Sequence, residues 1–418
     1  QIKKIKTRKI QQISCHLSLI NNYINNNKNS ISIASMSTMR PKHGYNVNTN
    51  LSHVSGSTGV KLLDKTIGQQ LTETASKYPN TIAMISSHQN VRITYKEFDE
   101  MVTKVAISLV ALNLPKSSKI GVYAPNCLEW VLIQFACARI GHVLVNINPS
   151  FQVNDLKYVL EKVEISTLFM PRYLKSSNYI DIINNMLDVE LRYDITTTNT
   201  DTTTNNNVNN NTVNTGTTAT AGNGNSTYIE KKKQLQSPLN LNISFLPHLR
   251  QVVLLDDSTI SEEARLNCNV DMDEVCKENN MISWKDFYEN KLNDQNDRAD
   301  PAGLMVRYNN HVDSVKIHDP VNIQFTSGTT GLPKGAVLSH YNILNNGYLV
   351  GNILNYNPYK QMKVLIQVPL YHCFGTVMGN IACVTHGATM VYPNGSFDSE
   401  KSLDIIEKEG VSSLYGVP

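Results

Sequence analysis

A cluster of hydroxyl, glycine and lysine residues at 326–335 is the part of this sequence best equipped for chemistry. Gly328, Gly331 and Gly335 permit backbone conformations that turn successive N–H groups towards one point. The hydroxyls of the run can add side-chain donors, and Lys334 supplies a mobile positive charge suited to a terminal phosphate. We therefore predict a phosphate-binding loop formed by Thr326, Ser327, Gly328, Thr329, Thr330, Gly331, Leu332, Pro333 and Lys334.

Two other interpretations of this run are weaker. An exposed turn also uses Ser, Thr, Gly and Pro, but four hydroxyls, three glycines and a lysine directly after an apolar run exceed what a turn needs. The P-loop of kinases and NTPases follows the pattern G-x-x-x-x-G-K-[ST]. Here Pro333 precedes Lys334 and Gly335 follows it, so the second glycine and the magnesium-binding hydroxyl are both missing.

The elements around this loop alternate between strands and helices. Short apolar runs predict strands at 82–86, 91–95, 119–125, 142–149, 165–171, 250–256, 321–326, 364–370, 388–392 and 412–418. Helical spacing predicts helices after Ile67 and at 96–112, 128–140, 154–163, 340–354, 373–386 and 401–410. Such alternation is typical of an α/β fold with mostly parallel sheets covered by helices on both faces. The Gly-rich loop, at 327–336, joins a strand to a helix.

Residues 1–63 differ from the rest of the chain in charge. They contain nine basic residues and no acidic one, which leaves 29 basic and 35 acidic residues for 64–418. A body with a charge of about −6 has no general attraction for nucleic acid. The basic, Ser-rich start is typical of a mitochondrial transit peptide and predicts a location in the matrix. A merely disordered terminus is the alternative, and translation from Met36 or Met39 would leave the protein cytoplasmic.

Residues 196–227 consist mostly of Asn and Thr. They hold too few apolar side chains to offset an ordering entropy of about 1–2 kcal/mol per residue. We predict a disordered surface insertion within a domain at 64–418. A glycosylated stalk would also suit this composition, but it conflicts with mitochondrial targeting. Residues 257–319 are polar and predicted to be partly helical.

Cysteine usage and hydropathy limit the class of protein further. The seven cysteines form no CxxC pair and no Cys/His metal spacing, which predicts reduced thiols and no structural metal site. No run reaches the ~18 apolar residues that a spanning helix needs. The most apolar stretch, at 130–141, is interrupted by Gln134 and Arg139, so we predict no membrane span.

The run FTSGTTGLPKGA at 325–336 resembles the signature of the AMP-forming adenylating enzymes, which include acyl-CoA synthetases, luciferases and non-ribosomal adenylation domains. Other stretches narrow the likeness to mitochondrial acyl-CoA synthetases of medium-chain fatty acids. The resemblance covers 64–195 and 318–418 and is carried chiefly by the segments 66–80, 122–152, 318–346, 369–393 and 413–418.

The resemblance implies the large N-terminal domain of the adenylate-forming fold and a two-step reaction. A fatty acid carboxylate attacks the α-phosphate of Mg²⁺-bound ATP to give an acyl-adenylate, and the thiol of coenzyme A then displaces AMP. Such an acid–thiol ligase must mainly neutralise phosphate charge and align the attack in a dry site. Residues 326–334 would hold the β- and γ-phosphates.

The resemblance also implies roles for individual residues. Lys334 and His372 are the candidate catalytic residues. Lys334 belongs to the phosphate-binding signature, and His372 matches the family's residue at the mouth of the acyl pocket. Tyr371, His372, Tyr415 and Gly416 are the candidate pocket residues. A structural role is the alternative for His372 taken alone, and a plain core role for Tyr415 and Gly416. Outside these sets, Ser339 is the predicted N-cap of the helix after the loop, and His340 receives only a local structural role.

The family's ribose- and magnesium-binding residues, its adenylation lysine and its coenzyme A half-site would follow Pro418. We therefore expect these 418 residues to be part of a longer synthetase, poorly soluble and inactive alone. Two alternatives stay open. One is a truncated, non-catalytic protein that binds nucleotide or acyl ligand, and the other is a ligase for another carboxylate or for an acceptor other than coenzyme A.

Overall fold

The computed structural model describes residues 46–47, 54–55, 59–174, 177–186, 246–255, 271–291, 300–326, 332–357 and 360–417. The chain divides into two units, residues 1–62 and 63–418. In the first, β1 (Asn46–Val47) pairs antiparallel with β2 (Val54–Ser55). The basic start and the predicted insertion at 196–227 lie outside the described residues.

A seven-stranded sheet forms the larger half of the second unit. Its order is β11-β10-β7-β5-β6-β12-β13, and every neighbouring pair is parallel except β12 with β13. The strands are β5 (Lys119–Val122), β6 (Val143–Asn146), β7 (Ile165–Met170), β10 (Gln251–Leu254), β11 (Ile282–Ser283), β12 (Pro320–Thr326) and β13 (Lys334–Ser339). A small antiparallel pair follows β7, formed by β8 (Tyr173–Leu174) and β9 (Ser177–Asn178).

A five-stranded sheet forms the other half, in the order β16-β14-β15-β3-β4. It is parallel except for the hairpin of β3 with β4, in which Asn90 adopts a positive φ of 54°. The mostly parallel α/β fold expected from the sequence is therefore confirmed. The strands are β3 (Ile82–Ser86), β4 (Val91–Thr94), β14 (Lys363–Leu365), β15 (Thr389–Tyr392) and β16 (Ser413–Leu414).

The helices begin and end where the sequence supplies caps. Thr66 and Thr94 form capping boxes at two of the starts, and Gly141 and Gly410 close two of the ends in the left-handed conformation. Residues 179–186 are also helical. The bounded helices are α1 (Ile67–Lys77), α2 (Tyr95–Ala111), α3 (Leu128–Ile140), α4 (Val153–Lys162), α5 (Met272–Glu278), α6 (Trp284–Tyr288), α7 (Pro301–Ser314), α8 (His340–Ile353), a π-helix (Phe374–Ile381), α9 (Ala382–His386) and α10 (Ser399–Glu409).

Helices cover both sheets and also separate them. Alternate strand residues of the larger sheet face different cores, so Leu144 packs with the central helices whereas Val143 and Val145 pack with α4. The central core joins α1, α2, α3, α8 and the π-helix to strands of both sheets. Helix α3 is buried along its whole length because it lies in this central layer. Segments that follow β5 and β6 of the larger sheet and β14 and β15 of the smaller sheet line one cavity.

Several expectations from the sequence about the bounds of elements need correction. Lys334, Gly335 and Ala336 belong to β13 and not to the loop, because the chain reverses and pairs along the edge of β12. The strand predicted at 364–370 ends at Leu365, and beyond it backbone groups of 368–370 bond to asparagine side chains. The strand predicted at 412–418 is only Ser413–Leu414.

Membrane-spanning helices and metal-binding clusters are absent from the described ranges. None of the helices found there is long and apolar enough to cross a bilayer. No group of three or more His, Cys, Asp or Glu within these ranges could hold a metal ion. The cysteines of the described part are free thiols, of which Cys373 alone is exposed and the others, Cys127, Cys137, Cys276 and Cys383, are buried.

Candidate active site

The predicted phosphate loop connects two strands that pair antiparallel. Strands β12 and β13 pair as far as Thr326 opposite Lys334, and the Thr326 hydroxyl donates to the Lys334 carbonyl at 3.4 Å. Residues 327–331 lie outside the described part of the chain. Tyr158 of α4 donates to the Pro333 carbonyl at 3.0 Å and ties the returning strand to the body. The hairpin thus fixes both stems of the loop.

The exposure of these residues suits an anion that arrives from solvent. Thr326 and Lys334 are exposed, and Leu332 is 65% exposed. Thr326 ends β12 at the carboxyl edge of a parallel run with β6. In open α/β sheets, ligands bind in the crevice outside the carboxyl ends of the strands. The structure therefore places Lys334 at the edge where a nucleotide would be expected.

His372 lies in a tight turn after β14. Its backbone N–H donates to the Pro369 carbonyl at 3.3 Å, and its own carbonyl accepts the N–H groups of Gly375 at 3.0 Å and Thr376 at 3.2 Å. Its ring nitrogen Nδ1 accepts the Phe374 N–H at 3.1 Å. Because Nδ1 is an acceptor, the neutral ring carries its proton on Nε2. The exposed side chain therefore offers an Nε2–H donor to a ligand.

The turn leads directly into the π-helix, where the sequence predicted an α-helix. A π-helix is rare and frequently occurs at functional sites. A Cβ on Gly375 would lie 2.5 Å from the Pro369 carbonyl oxygen, so only glycine allows the helix start to pack on the turn. Further along, Asn380 is fully buried, donates to Gln134 Oε1 at 2.7 Å and accepts the Tyr392 hydroxyl at 2.6 Å. These bonds hold the π-helix against α3 and β15.

Tyr415 packs on the start of this π-helix. Its ring stacks on Phe374, and its hydroxyl is buried with no hydrogen-bond partner among the described residues. Burial raises the pKa of Tyr415 well above its usual value. A Cβ on Gly379 would lie 3.0 Å from the Tyr415 hydroxyl oxygen, so the glycine makes room for the ring. The next residue, Gly416, is exposed and lies beside Gln367.

A cavity of about 330 Å³ opens at the junction of the two sheets. Its lining comes from the segments that follow β5, β6, β7, β14 and β15. It includes Tyr371 but not His372, Tyr415, Gly416 or any described residue of the predicted phosphate loop. The sequence analysis did not single out Asn126 and Gln367, which also line this cavity. Asn126 follows a buried strand and precedes a buried helix, and a polar residue in that position was the available signal.

Ser339 and His340 have the local roles expected of them. Ser339 is the N-cap of α8, and its hydroxyl accepts the Asn342 N–H at 3.2 Å. His340 is fully buried, and its Nδ1 accepts the Ile67 N–H at 3.2 Å. Burial lowers the pKa of His340 to about 4. A neutral histidine therefore joins the start of α8 to the start of α1.

The two-sheet α/β fold and the Gly- and Thr-rich segment between β12 and β13 are the features that point to a class of protein. A family model described as AMP-binding enzyme matches residues 71–418, and the chain belongs to that family. It is 32% identical over 374 residues to the mitochondrial medium-chain acyl-CoA ligase ACSF2 of Rattus norvegicus, covering 88% of this chain and 49% of the relative. It is 28% identical over 360 residues to the putative acyl-CoA synthetase YngI of Bacillus subtilis (strain 168), with 86% and 52% covered.

Solved structures share the fold at lower sequence identity. Apo MbtA of Mycobacterium smegmatis superimposes with a TM-score of 0.55 at 16% identity, over 84% of this chain and 48% of that chain. The anthranilate CoA ligase AuaEII superimposes with a TM-score of 0.54 at 15% identity, over 85% and 50%. The chain spans about half the length of the curated relatives that it matches.

Proposed function

We propose that this protein activates a fatty acid with ATP and transfers the acyl group to coenzyme A. The observation that carries the proposal is the hairpin tip at 326–334, in a chain of the AMP-binding family, at the carboxyl edge of a mostly parallel sheet. In the first step, a carboxylate oxygen bonds to the α-phosphorus of ATP, and the bond to pyrophosphate breaks. In the second, the sulfur of coenzyme A bonds to the acyl carbon, and AMP leaves.

The loop residues would act on phosphate charge. Lys334 is exposed at the mouth of the hairpin and would neutralise charge on the departing pyrophosphate. The hydroxyl of Thr326 and the backbone N–H groups of 327–332 would donate to the same oxygens. This donor set fits phosphates. A Mg²⁺ ion bound to the same phosphates would add further positive charge.

His372 would orient the acid. Its Nε2–H is free to donate to a carboxylate oxygen because Nδ1 is held by the Phe374 N–H. We assign Tyr371, which lines the cavity, together with Tyr415 and Gly416 to the surroundings of the acyl chain. This assignment makes the acyl site apolar on the side of the π-helix, where Phe374 and Tyr415 stack.

We also propose a medium-chain substrate, a mitochondrial location and the domain limits expected from the sequence. The first two are supported by the name of the rat relative and by the basic, acid-free composition of residues 1–63. The domain limits, a tail to residue 63 and an adenylation domain from 64, agree with the division of the chain after Leu62 and with the family match from residue 71.

The proposal is tested on the full-length native protein, after its intact mass has been measured. Exchange of labelled pyrophosphate into ATP is followed with saturated fatty acids of increasing length and with benzoate, and acyl-CoA is then measured after addition of coenzyme A. We expect exchange that requires the acid and is fastest at medium length. ATP binding without exchange for any acid would contradict the proposal and favour a non-catalytic binder. Exchange with benzoate but with no fatty acid would indicate that the substrate is another class of carboxylate.

A further inference from the structure

A chain of buried side-chain amides crosses from one sheet to the other. Gln324 Nε2 donates to Asn322 Oδ1 at 2.8 Å, and Asn322 Nδ2 donates to Asn146 Oδ1 at 2.8 Å. Asn146 Nδ2 then donates to the carbonyl of Leu370 at 3.1 Å. All three amide side chains belong to residues that are less than 9% exposed. This series of hydrogen bonds begins on β12, crosses β6 and ends at Leu370, two residues before His372.

A second amide holds the same segment from the next strand end. Asn126, which follows β5, donates through Nδ2 to the Val368 carbonyl at 2.9 Å and accepts the Leu370 N–H through Oδ1 at 2.8 Å. Its backbone N–H donates to the Gly395 carbonyl at 2.9 Å. Three of the four polar backbone groups at Val368 and Leu370, namely the two carbonyls and the Leu370 N–H, are therefore bonded to Asn126 and Asn146 and not to a neighbouring strand.

We propose that Asn126 and Asn146 are positioning residues that set the His372 turn against the strand that carries the phosphate loop. This inference rests on the proposed function. His372 lies in the segment that follows β14 of the smaller sheet, and Lys334 begins β13 of the larger one, so the distance between the two groups depends on how the sheets meet. The asparagines bond directly to the backbone next to His372. An error of about 1 Å in such a site can reduce the rate about 100-fold.

The bonding pattern favours a positioning role over simple filling of the core. Both oxygen and nitrogen of each asparagine side chain are used, so the amide orientations are fixed by their partners. A leucine would fill the same space but would leave the backbone groups of 368–370 unpaired in a buried place. The segment is thereby held at a defined distance from β12, which ends at Thr326.

The test uses Asn126→Ala and Asn146→Ala in the full-length native protein. The control is Asn345→Ala, because Asn345 is equally buried and bonds to the Leu63 and Tyr341 backbones away from this junction. The first readout is hydrogen exchange of the peptide at 366–374 in the free protein, which does not depend on turnover. We expect exchange in this peptide to accelerate about tenfold or more in both test variants and to be unchanged in the control.

The second readout is catalysis of pyrophosphate exchange. We expect kcat to fall about 10- to 100-fold in both test variants with little change in the KM for ATP, whereas Asn345→Ala keeps kcat despite a similar loss of thermal stability. Unchanged hydrogen exchange at 366–374, or kcat loss equal to that of the control, would overturn the positioning role. If the wild-type protein shows no pyrophosphate exchange with any acid tested, the proposed function is contradicted instead. Hydrogen exchange would still decide whether the asparagines hold the turn.

Discussion

The ring of Phe374 stacks on the ring of Tyr415, with centroids 5.0 Å apart and 22° between the planes. Phe374 opens the π-helix and donates its N–H to His372, while Tyr415 follows β16 at the edge of the smaller sheet. The stacked pair therefore connects the segment after β16 to the histidine turn. We expect a substitution at Tyr415 to change both the free energy of unfolding and the preference among acids.

Tyr415→Phe and Tyr415→Ala separate these two effects. The phenylalanine keeps the stacked ring and removes a buried hydroxyl that has no partner among the described residues, so we expect the free energy of unfolding to change by less than about 1 kcal/mol. We expect Tyr415→Ala to lower the free energy of unfolding by about 2–3 kcal/mol and to raise kcat/KM for bulkier acids relative to smaller ones. Denaturant unfolding and the acid panel measure both. A Tyr415→Ala enzyme with unaltered acid preference would remove Tyr415 from the acyl site.

Lys334→Ala tests the phosphate loop. Because the side chain is exposed on β13, its removal should leave the unfolding free energy within about 0.5 kcal/mol of wild type. The loss of one charge on phosphate should lower kcat/KM for ATP about 10- to 100-fold. Steady-state kinetics at several ATP concentrations give the value, and Lys408→Ala, an exposed lysine on α10, is the matched control. Equal kinetics in the two variants would exclude Lys334 from the mechanism.

His372→Asn and His372→Gln distinguish the two ring nitrogens. The asparagine oxygen can replace Nδ1 as acceptor of the Phe374 N–H but supplies nothing at Nε2. The glutamine amide reaches the position of Nε2 and keeps a donor there. We expect the rate of adenylate formation to fall about 10- to 100-fold in His372→Asn and less in His372→Gln. If both variants match wild type in single-turnover measurements, the histidine is structural.

Buried neutral histidines make stability depend on pH. The folded-state pKa is lowered to about 4 for His340 and to about 3 for His142, in both cases mainly by burial, from an unfolded value of 6.5. The unfolded state therefore binds more protons below pH 6.5, and stability that is complete above that pH is lost as the pH falls. His340 alone would contribute a loss of up to about 3 kcal/mol by pH 4.

Denaturant unfolding at pH 7, 6 and 5 checks this expectation. His340→Asn is the informative variant, because the asparagine oxygen can accept the Ile67 N–H in place of Nδ1 and does not titrate. We expect its unfolding free energy to fall less steeply with acidification than that of wild type. Parallel profiles for the two proteins would show that His340 is not the titrating group.

The sequence predicted most of the elements because their signals are local. The run of apolar residues in α3 and the alternation of strands and helices were sufficient for the α/β fold, and Thr94 and Gly410 mark helix ends by their own chemistry. The hairpin partner of β12 was missed because Lys334 and Gly335 look like loop residues. They become a strand only because β12 offers an unpaired edge.

Candidate site residues could be proposed only where they form a contiguous motif. The predicted phosphate loop was proposed from its composition, and His372 from the family resemblance of the run around it. Asn126 and Asn146 gave no comparable signal, because the backbone groups of Val368 and Leu370 to which they donate are more than 200 residues away along the chain. The π-helix was also missed, since its apolar spacing does not differ enough from that of an α-helix.

The junction between the sheets is made of amides, and amides carry no charge to gain or lose. Their hydrogen bonds are therefore not weakened by screening ions and do not titrate, unlike an ion pair in the same place. The spacing between the histidine turn and the loop strand should stay constant in acid and at high ionic strength for as long as the fold survives. A dependence of catalysis on salt would then be expected to come from the proposed contact between Lys334 and the phosphates of ATP. The spacing of the two segments would not contribute to it.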